Sequence, residues 1–247
     1  MKEKVVTFTI HRTRRPKEGA RDVRSLALGG ARSGTPATTP ASEAPPLTVS
    51  FPAGPLTTVL DILEKARVRR EPSLMFRHSC HHGSCGTCAC LIDGKERLAC
   101  TTRVLDLSTS LVTVEPLRHL AETGDLTSDF TKFFEEIPAC WAHLRESEPR
   151  VGSRTPPGIE RFTRFESCIE CGCCVSACPV TEDYMGPASL ALLHREMLNN
   201  PASAKRLLAL ASEDRGVKQC VRALECSRVC PAGVYPARHI ADLKRLI

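Results

Sequence analysis

Aromatic side chains make up only 4% of this 247-residue chain, with one Trp and two Tyr, so large rings are not what fills its core. No stretch of about 18 consecutive apolar residues is present, and without one a helix cannot cross a bilayer. The opening residues Met1, Lys2, Glu3 and Lys4 lack the apolar run of a signal peptide, which predicts a chain kept in a reducing cytoplasm. Neither a phosphate-cradling glycine loop nor a nucleophile with its base stands out, so nucleotide-driven or hydrolytic chemistry is not expected. The formal charge of +6 lies largely in Arg12 to Arg32 and in the last predicted helix, and such scattered charge predicts no nucleic-acid partner.

What the chain has in excess is cysteine, 14 in all. Thiols at that density in a reducing compartment read as metal ligands more readily than as disulfides. The length favours two modest domains over one large one.

Residues 4 to 10 and 47 to 51 alternate in polarity and predict a strand pair. The intervening residues 13 to 46, rich in Arg, Gly, Ala, Pro, Ser and Thr without a period, read as a long hairpin insertion. A helix is predicted over 57 to 68, where Val59, Leu60, Ile62, Leu63 and Ala66 share one face. Two short strands flank the turn Asp93-Gly94, and residues 111 to 114 close a small half-open sheet. Residues 1–116 are thus expected to form a β-grasp domain. Asp125 is expected to cap a bridging helix to Glu136 carrying Leu126, Phe130, Phe133 and Phe134, with a linker over 145 to 158, so that 117–158 joins two domains. In residues 159–247 the segments 187–198, 201–211 and 236–247 each open with Pro and predict short helices. The fold class is α+β, with a sheet-bearing first domain and an all-α second one.

Cys80, Cys85 and Cys88, with Cys100 beyond them, follow the plant-type 2Fe-2S spacing. Gly83 and Gly86 let such a loop curl with its amides pointing inward. Structural zinc is the alternative, but its cysteines usually come as paired two-residue spacings, unlike this asymmetric loop. His81 and His82 raise the alternative of a Rieske centre; four cysteines already suffice, so both are read as solvated. Cys90 is read as a small buried side chain.

Cys168, Cys171, Cys174 and Cys178, followed by Pro179, repeat the bacterial ferredoxin run, whose fourth cysteine serves the other of two clusters. The second run is Cys220, Cys226, Cys230 and Pro231, with Ala223 where a second cysteine would stand. Exchange of the last cysteines gives a 4Fe-4S set of Cys168, Cys171, Cys174 and Cys230. The remainder, Cys178, Cys220 and Cys226, suits a 3Fe-4S cluster, with a labile 4Fe-4S cluster as the alternative. Cys173 and Cys140, off register, are read as structural, as are His194 and His239.

The segments SCHHGSCGTCACLIDGKERLAC (Ser79 to Cys100), CIECGCCVSACP (Cys168 to Pro179), GPASLALLHR (Gly186 to Arg195) and CVRALECSRVCP (Cys220 to Pro231) together resemble the iron-sulfur subunit of succinate dehydrogenase and fumarate reductase. The resemblance implies an electron-transfer subunit passing electrons from an FAD-containing flavoprotein through 2Fe-2S, 4Fe-4S and 3Fe-4S clusters to quinone. It also implies a membrane-anchor or other acceptor subunit, and a place on the cytoplasmic face of the inner membrane held through partners. Quinone-reducing members often carry a Trp after the first Cys-Pro and a His after the first cysteine of the second run. This chain has Val180, Thr181, Glu182, Asp183, Tyr184 and Val221 there. The same relay serving another flavoprotein or a soluble thiol-linked reductase is therefore the second reading, and a zinc-stabilised binding module the third.

Overall fold

The structure is a computed structural model describing residues 4–14, 42–135 and 168–247. Strand β1 (Lys4–Arg14) turns Val6, Phe8 and Ile10 inward, each at most 1% exposed, as alternation on one buried face requires. It pairs antiparallel with β2 (Ser42–Ala53) on one side and parallel with β5 (Leu111–Glu115) on the other. Strands β3 (Ala89–Ile92) and β4 (Lys95–Leu98) complete a five-stranded sheet in the order β2-β1-β5-β3-β4. Asp93 and Gly94 between them both have positive φ, 50° and 71°, the backbone that a tight two-residue hairpin turn demands.

Helix α1 (Val59–Arg69) buries Val59, Leu60, Ile62, Leu63 and Ala66 against this sheet. Its start is fixed reciprocally: the Asp61 amide donates to Thr58 Oγ1 at 3.2 Å, and the Thr58 amide donates to Asp61 Oδ2 at 2.8 Å.

Two expectations change here. The hairpin strands run further than residues 10 and 47, because pairing resumes beyond an irregularity between Ile10 and Arg12 and continues to Arg14 opposite Ser42. Residues 13, 14 and 42 to 46 thus lie in strands, not in the insertion. Asp125 caps no helix; it turns the small hairpin of β6 (Glu122–Gly124) and β7 (Thr127–Ser128). Its buried carboxylate accepts from the amides of Thr13 at 3.0 Å and Met75 at 2.8 Å and from Arg12 Nε at 3.4 Å. Three donors distant in sequence, two of them on β1, satisfy it inside the protein, and that outweighs a cap at the surface. The helix that does form, α2 (Thr131–Glu135), is capped by Asp129, whose Oδ1 accepts from the Thr131 amide at 2.8 Å. Cys140 and the predicted linker fall outside the described residues.

The second unit comprises α3 (Cys173–Ser176), α4 (Pro187–Asn199), α5 (Ala204–Ala211), α6 (Glu225–Arg228) and α7 (Pro236–Leu246). Its core gathers Leu190 and Leu193 of α4, Leu207 of α5, and Ile240 and Leu243 of α7. His194 of α4 meets His239 of α7 inside it, with Nδ1 to Nδ1 at 3.0 Å. The two units meet where Ser176 Oγ donates to Glu96 Oε1 at 2.8 Å and accepts from the Arg118 amide at 2.9 Å. No helix among the described residues is long and apolar enough to cross a membrane.

Candidate metal centres

The first site is the loop between α1 and β3 together with Cys100, just past β4. Cys88 and Cys100 are buried, whereas Cys80 and Cys85 are half-buried, so the site opens on one side only. The loop curls so that the amides of Ser84 at 3.3 Å and His82 at 3.5 Å point at Cys80 Sγ. The His82 amide in the lead, followed by the Cys85 thiol and amide and then the Ser84 amide, these donors bring the Cys80 thiol down to about 6 against the opposing effect of burial and favour the thiolate a metal needs. Burial pushes Cys88 up to about 12, with Cys100 and Cys85 as its thiol neighbours.

The nearby imidazole nitrogens find partners other than the sulfurs. His78 Nδ1 lies 3.0 Å from His81 Nε2 and 3.6 Å from Glu64 Oε1, and the Arg67 guanidinium donates to His78 Nε2 at 3.1 Å. His82 Nδ1 bonds the Cys80 carbonyl. The histidines thus form a hydrogen-bonded surface network beside the loop, a geometry that does not favour a Rieske centre.

Cys168, Cys171, Cys174 and Cys230 line one cavity in the second unit. Burial pushes the Cys168 thiol up to about 11 and Cys174 well above its ordinary value. Cys171 is lowered, first because the Cys173 thiol donates to its sulfur. A half-buried quartet of converging sulfurs is costly as bare thiolates, and a polynuclear cation neutralises such a set.

Cys178, Cys220 and Cys226 line a separate cavity of about 360 Å³, with Ala223 in the same wall. Burial raises the Cys226 thiol to about 11, and Cys178 and Cys220 are its charged neighbours. No fourth thiol lines this cavity among the described residues. Tyr184 also lines it, and burial pushes its phenol above the ordinary value.

The last cysteine of each run therefore sits with the other run, because short helices α3 and α6 lie side by side. The sites form a series. A Cβ on Gly86, in the first loop, would stand 2.5 Å from Ile169 O and 2.8 Å from Cys171 Cβ of the second site. Cys174 of the second site has Cys226 of the third among its thiol neighbours. Spacing alone missed two features: the place of Tyr184 in the wall of the third cavity, and the adjacency of buried Cys173 to Cys90 across the junction. The second had a signal, since each non-ligand thiol sits one or two residues from a ligand.

Residues 37–135 match the family model of the 2Fe-2S iron-sulfur cluster binding domain, and residues 164–234 match that of the 4Fe-4S dicluster domain. The chain is 34% identical over 203 residues to the mitochondrial succinate dehydrogenase [ubiquinone] iron-sulfur subunit 1 of Oryza sativa subsp. japonica, covering 78% of this chain and 71% of that one. It is 37% identical over 203 residues to the fumarate reductase iron-sulfur subunit of Mycobacterium tuberculosis, covering 77% and 82% respectively. Among solved structures, a chain of the Mycobacterium smegmatis Sdh1 complex in the apo form superimposes with a TM-score of 0.67 at 22% identity, over 99% of this chain and 96% of that one. That likeness speaks to the fold.

Proposed function

The chain belongs to the family of iron-sulfur subunits of succinate dehydrogenases and fumarate reductases, and from that membership we propose that it carries single electrons between an FAD-containing flavoprotein subunit and an acceptor at a membrane-anchor subunit, with quinone as the acceptor. The observation that carries the reading is the series of three thiol sets, linked by the contact of Gly86 with Ile169 and Cys171.

Cys80, Cys85, Cys88 and Cys100 would hold a 2Fe-2S cluster, Cys168, Cys171, Cys174 and Cys230 a 4Fe-4S cluster, and Cys178, Cys220 and Cys226 a 3Fe-4S cluster with Ala223 at its open corner. When bound, such clusters supply reversible one-electron centres whose potentials follow type, charge, hydrogen bonding and exposure. The residues of this chain fix the rest. The amides of His82 and Ser84 stabilise negative sulfur at the half-open end, which suits exchange with a flavoprotein. The 1–116 unit carries this end, 117–158 bridges, and 159–247 carries the acceptor end. The chain leaves the dicarboxylate chemistry to the flavoprotein and sits at the membrane through its partners.

Among the described residues, the wall of the third cavity contains Val180 and Val221 and no His or Trp. This favours, as a second reading, an acceptor other than quinone. EPR of anaerobically purified protein, with iron and sulfide counted on the same sample, tests the relay. An oxidised 3Fe-4S signal that disappears with dithionite, as reduced 2Fe-2S and 4Fe-4S signals appear, is expected. A colourless, zinc-loaded protein would sink it. Reduction of a quinone analogue by the assembled complex, set against a soluble disulfide acceptor, separates the two acceptor readings.

A further inference from the structure

We propose that Glu64, His78 and His81 form a binding site for a divalent cation of the zinc class, set beside the first thiol set and separate from it. The site stands on its own side chains, whatever group the cysteines hold.

Glu64 lies on α1, and His78 and His81 come from the loop that follows it. Their ligand atoms close a triangle. His78 Nδ1 is 3.0 Å from His81 Nε2 and 3.6 Å from Glu64 Oε1, and His81 Nε2 is 3.9 Å from the same oxygen. A tetrahedral ion with bonds of about 2.0–2.2 Å to imidazole nitrogen and carboxylate oxygen holds its ligand atoms about 3.3–3.6 Å apart. The triangle is thus one face of such a tetrahedron to within a few tenths of an ångström. Glu64 and His78 are half-buried and His81 is exposed, so the fourth ligand would be water. Both rings are held: His78 stacks on Phe76 with 5.3 Å between ring centres, and His81 meets His78 edge-on at 5.1 Å from a left-handed backbone with φ of 62°. Backbone of that kind at a non-glycine is retained where the surroundings over-determine it, and it gathers at ligand sites.

One group opposes the ion. Arg67 Nη2, which can only donate, lies 3.1 Å from His78 Nε2, so the proton of His78 stands on Nδ1 and points into the triangle. A cation takes the place of that hydrogen. The proton of His78 moves to Nε2, none is released, and Arg67 gives up this acceptor while keeping its place over Phe76, 4.4 Å from the ring centre. Arg67 therefore weakens the site without blocking it. Two neutral imidazoles and one carboxylate suit zinc, copper or nickel, whereas magnesium and calcium take oxygen ligands. Because His81 directly follows Cys80, the bound ion adds positive charge beside the first thiol set and favours the reduced form of the group held there. That consequence alone rests on the 2Fe-2S reading.

The test is equilibrium dialysis of the anaerobically purified full chain against Zn²⁺, with iron and sulfide counted before and after and the zinc ligands read by X-ray absorption at the zinc edge. One zinc per chain is expected, with nitrogen and oxygen neighbours and no sulfur. His81→Gln and Glu64→Gln should each weaken binding by at least about tenfold, the smallest loss usual even for a residue that only supports a ligand. His11→Gln, which removes an imidazole paired with Glu122 elsewhere, should leave it in place. Arg67→Met removes the competing donor, and zinc should bind more tightly. In an EPR-monitored redox titration at fixed ambient potential, zinc should lower the oxidised-to-reduced ratio of the first centre several-fold in the wild type and not in Glu64→Gln. Failure of a protein with full iron and sulfide counts to retain zinc would overturn the site. Sulfur neighbours at the zinc, or wild-type affinity in His81→Gln and Glu64→Gln, would overturn it too. Zinc bound with an unshifted first centre would overturn the charge effect alone, and absence of a 2Fe-2S signal before zinc is added would overturn the cluster reading alone.

Discussion

The Ser176 hydroxyl donates to Glu96 Oε1 at 2.8 Å across the junction of the two units, and Glu96 is only 7% exposed. A buried carboxylate on strand β4 thus holds helix α3, which carries Cys173 and Cys174 and abuts Cys178. Glu96→Ala leaves the Ser176 hydroxyl to find another acceptor and should destabilise the junction by about 1–3 kcal/mol. Differential scanning calorimetry is expected to show the second unit melting earlier than the first in this variant. A single unchanged transition would mean that the pair contributes nothing across the junction.

Gly86 stands where no side chain fits. Its φ of 71° already disfavours other residues, and an added Cβ would meet the Ile169 carbonyl at 2.5 Å. Gly86→Ala should therefore separate the first and second sites as well as strain the loop, at about 1–3 kcal/mol. The expected sign is weaker magnetic coupling between the two reduced centres in EPR, with iron content retained. Unchanged coupling would show that the gap is set elsewhere.

His239 is 1% exposed and burial lowers it to about 4; the neighbouring His194 and Arg238 push the same way, and Asp242 opposes them. The unfolded chain takes up a proton near the ordinary histidine value while the folded one does not, so the neutral ring stabilises the fold above that value. Stability is expected to fall as pH drops from about 6.5 to 4, by up to roughly 3 kcal/mol for this group. His239→Gln should flatten that part of the curve in urea titrations at a series of pH values. A mutant slope equal to the wild-type slope would assign the acid sensitivity to other groups.

Asp125→Ala removes the acceptor shared by the Thr13 and Met75 amides. Leaving both without their partner should cost more than about 2 kcal/mol, read from chemical denaturation of the first unit. Asp125→Asn, which keeps one oxygen, is expected to recover part of the loss.

Ala223→Cys places a thiol in the wall of the third cavity. Iron content should rise and the oxidised 3Fe-4S signal should vanish in favour of a reduced 4Fe-4S signal. Retention of the original signal would show that the corner at residue 223 does not face the open position.

How much of this was legible in the sequence varies with the range of the interaction. The ligand candidates could be read directly, because cluster-binding runs are local and their spacing is dictated by the few ångströms over which sulfurs must converge. Helix α1 was legible for the same reason, since its face repeats within one turn, although the helix opens at Val59 behind its Thr58 cap rather than at residue 57. Asp125 was misread because a helix cap and a buried acceptor look alike in a local window, and its partners Thr13 and Met75 lie far away along the chain. The place of Tyr184 in the third cavity escaped notice for a related reason. Cys220, which lines the same cavity, belongs to the other cysteine run, and only the packing of α3 against α6 brings the two runs together.

The sharing of one cavity by Cys230 with Cys168, Cys171 and Cys174 bears on how the protein is born. A ribosome that has just released the first run presents three of that cavity's four thiols, and the fourth arrives only after α4 and α5 have been made. Domains otherwise tend to fold from the N-terminus as they emerge. Here the sheet-bearing unit can be completed early, while the helical unit must wait for Cys230, and a transcript cut short before that residue yields a chain that cannot close the set.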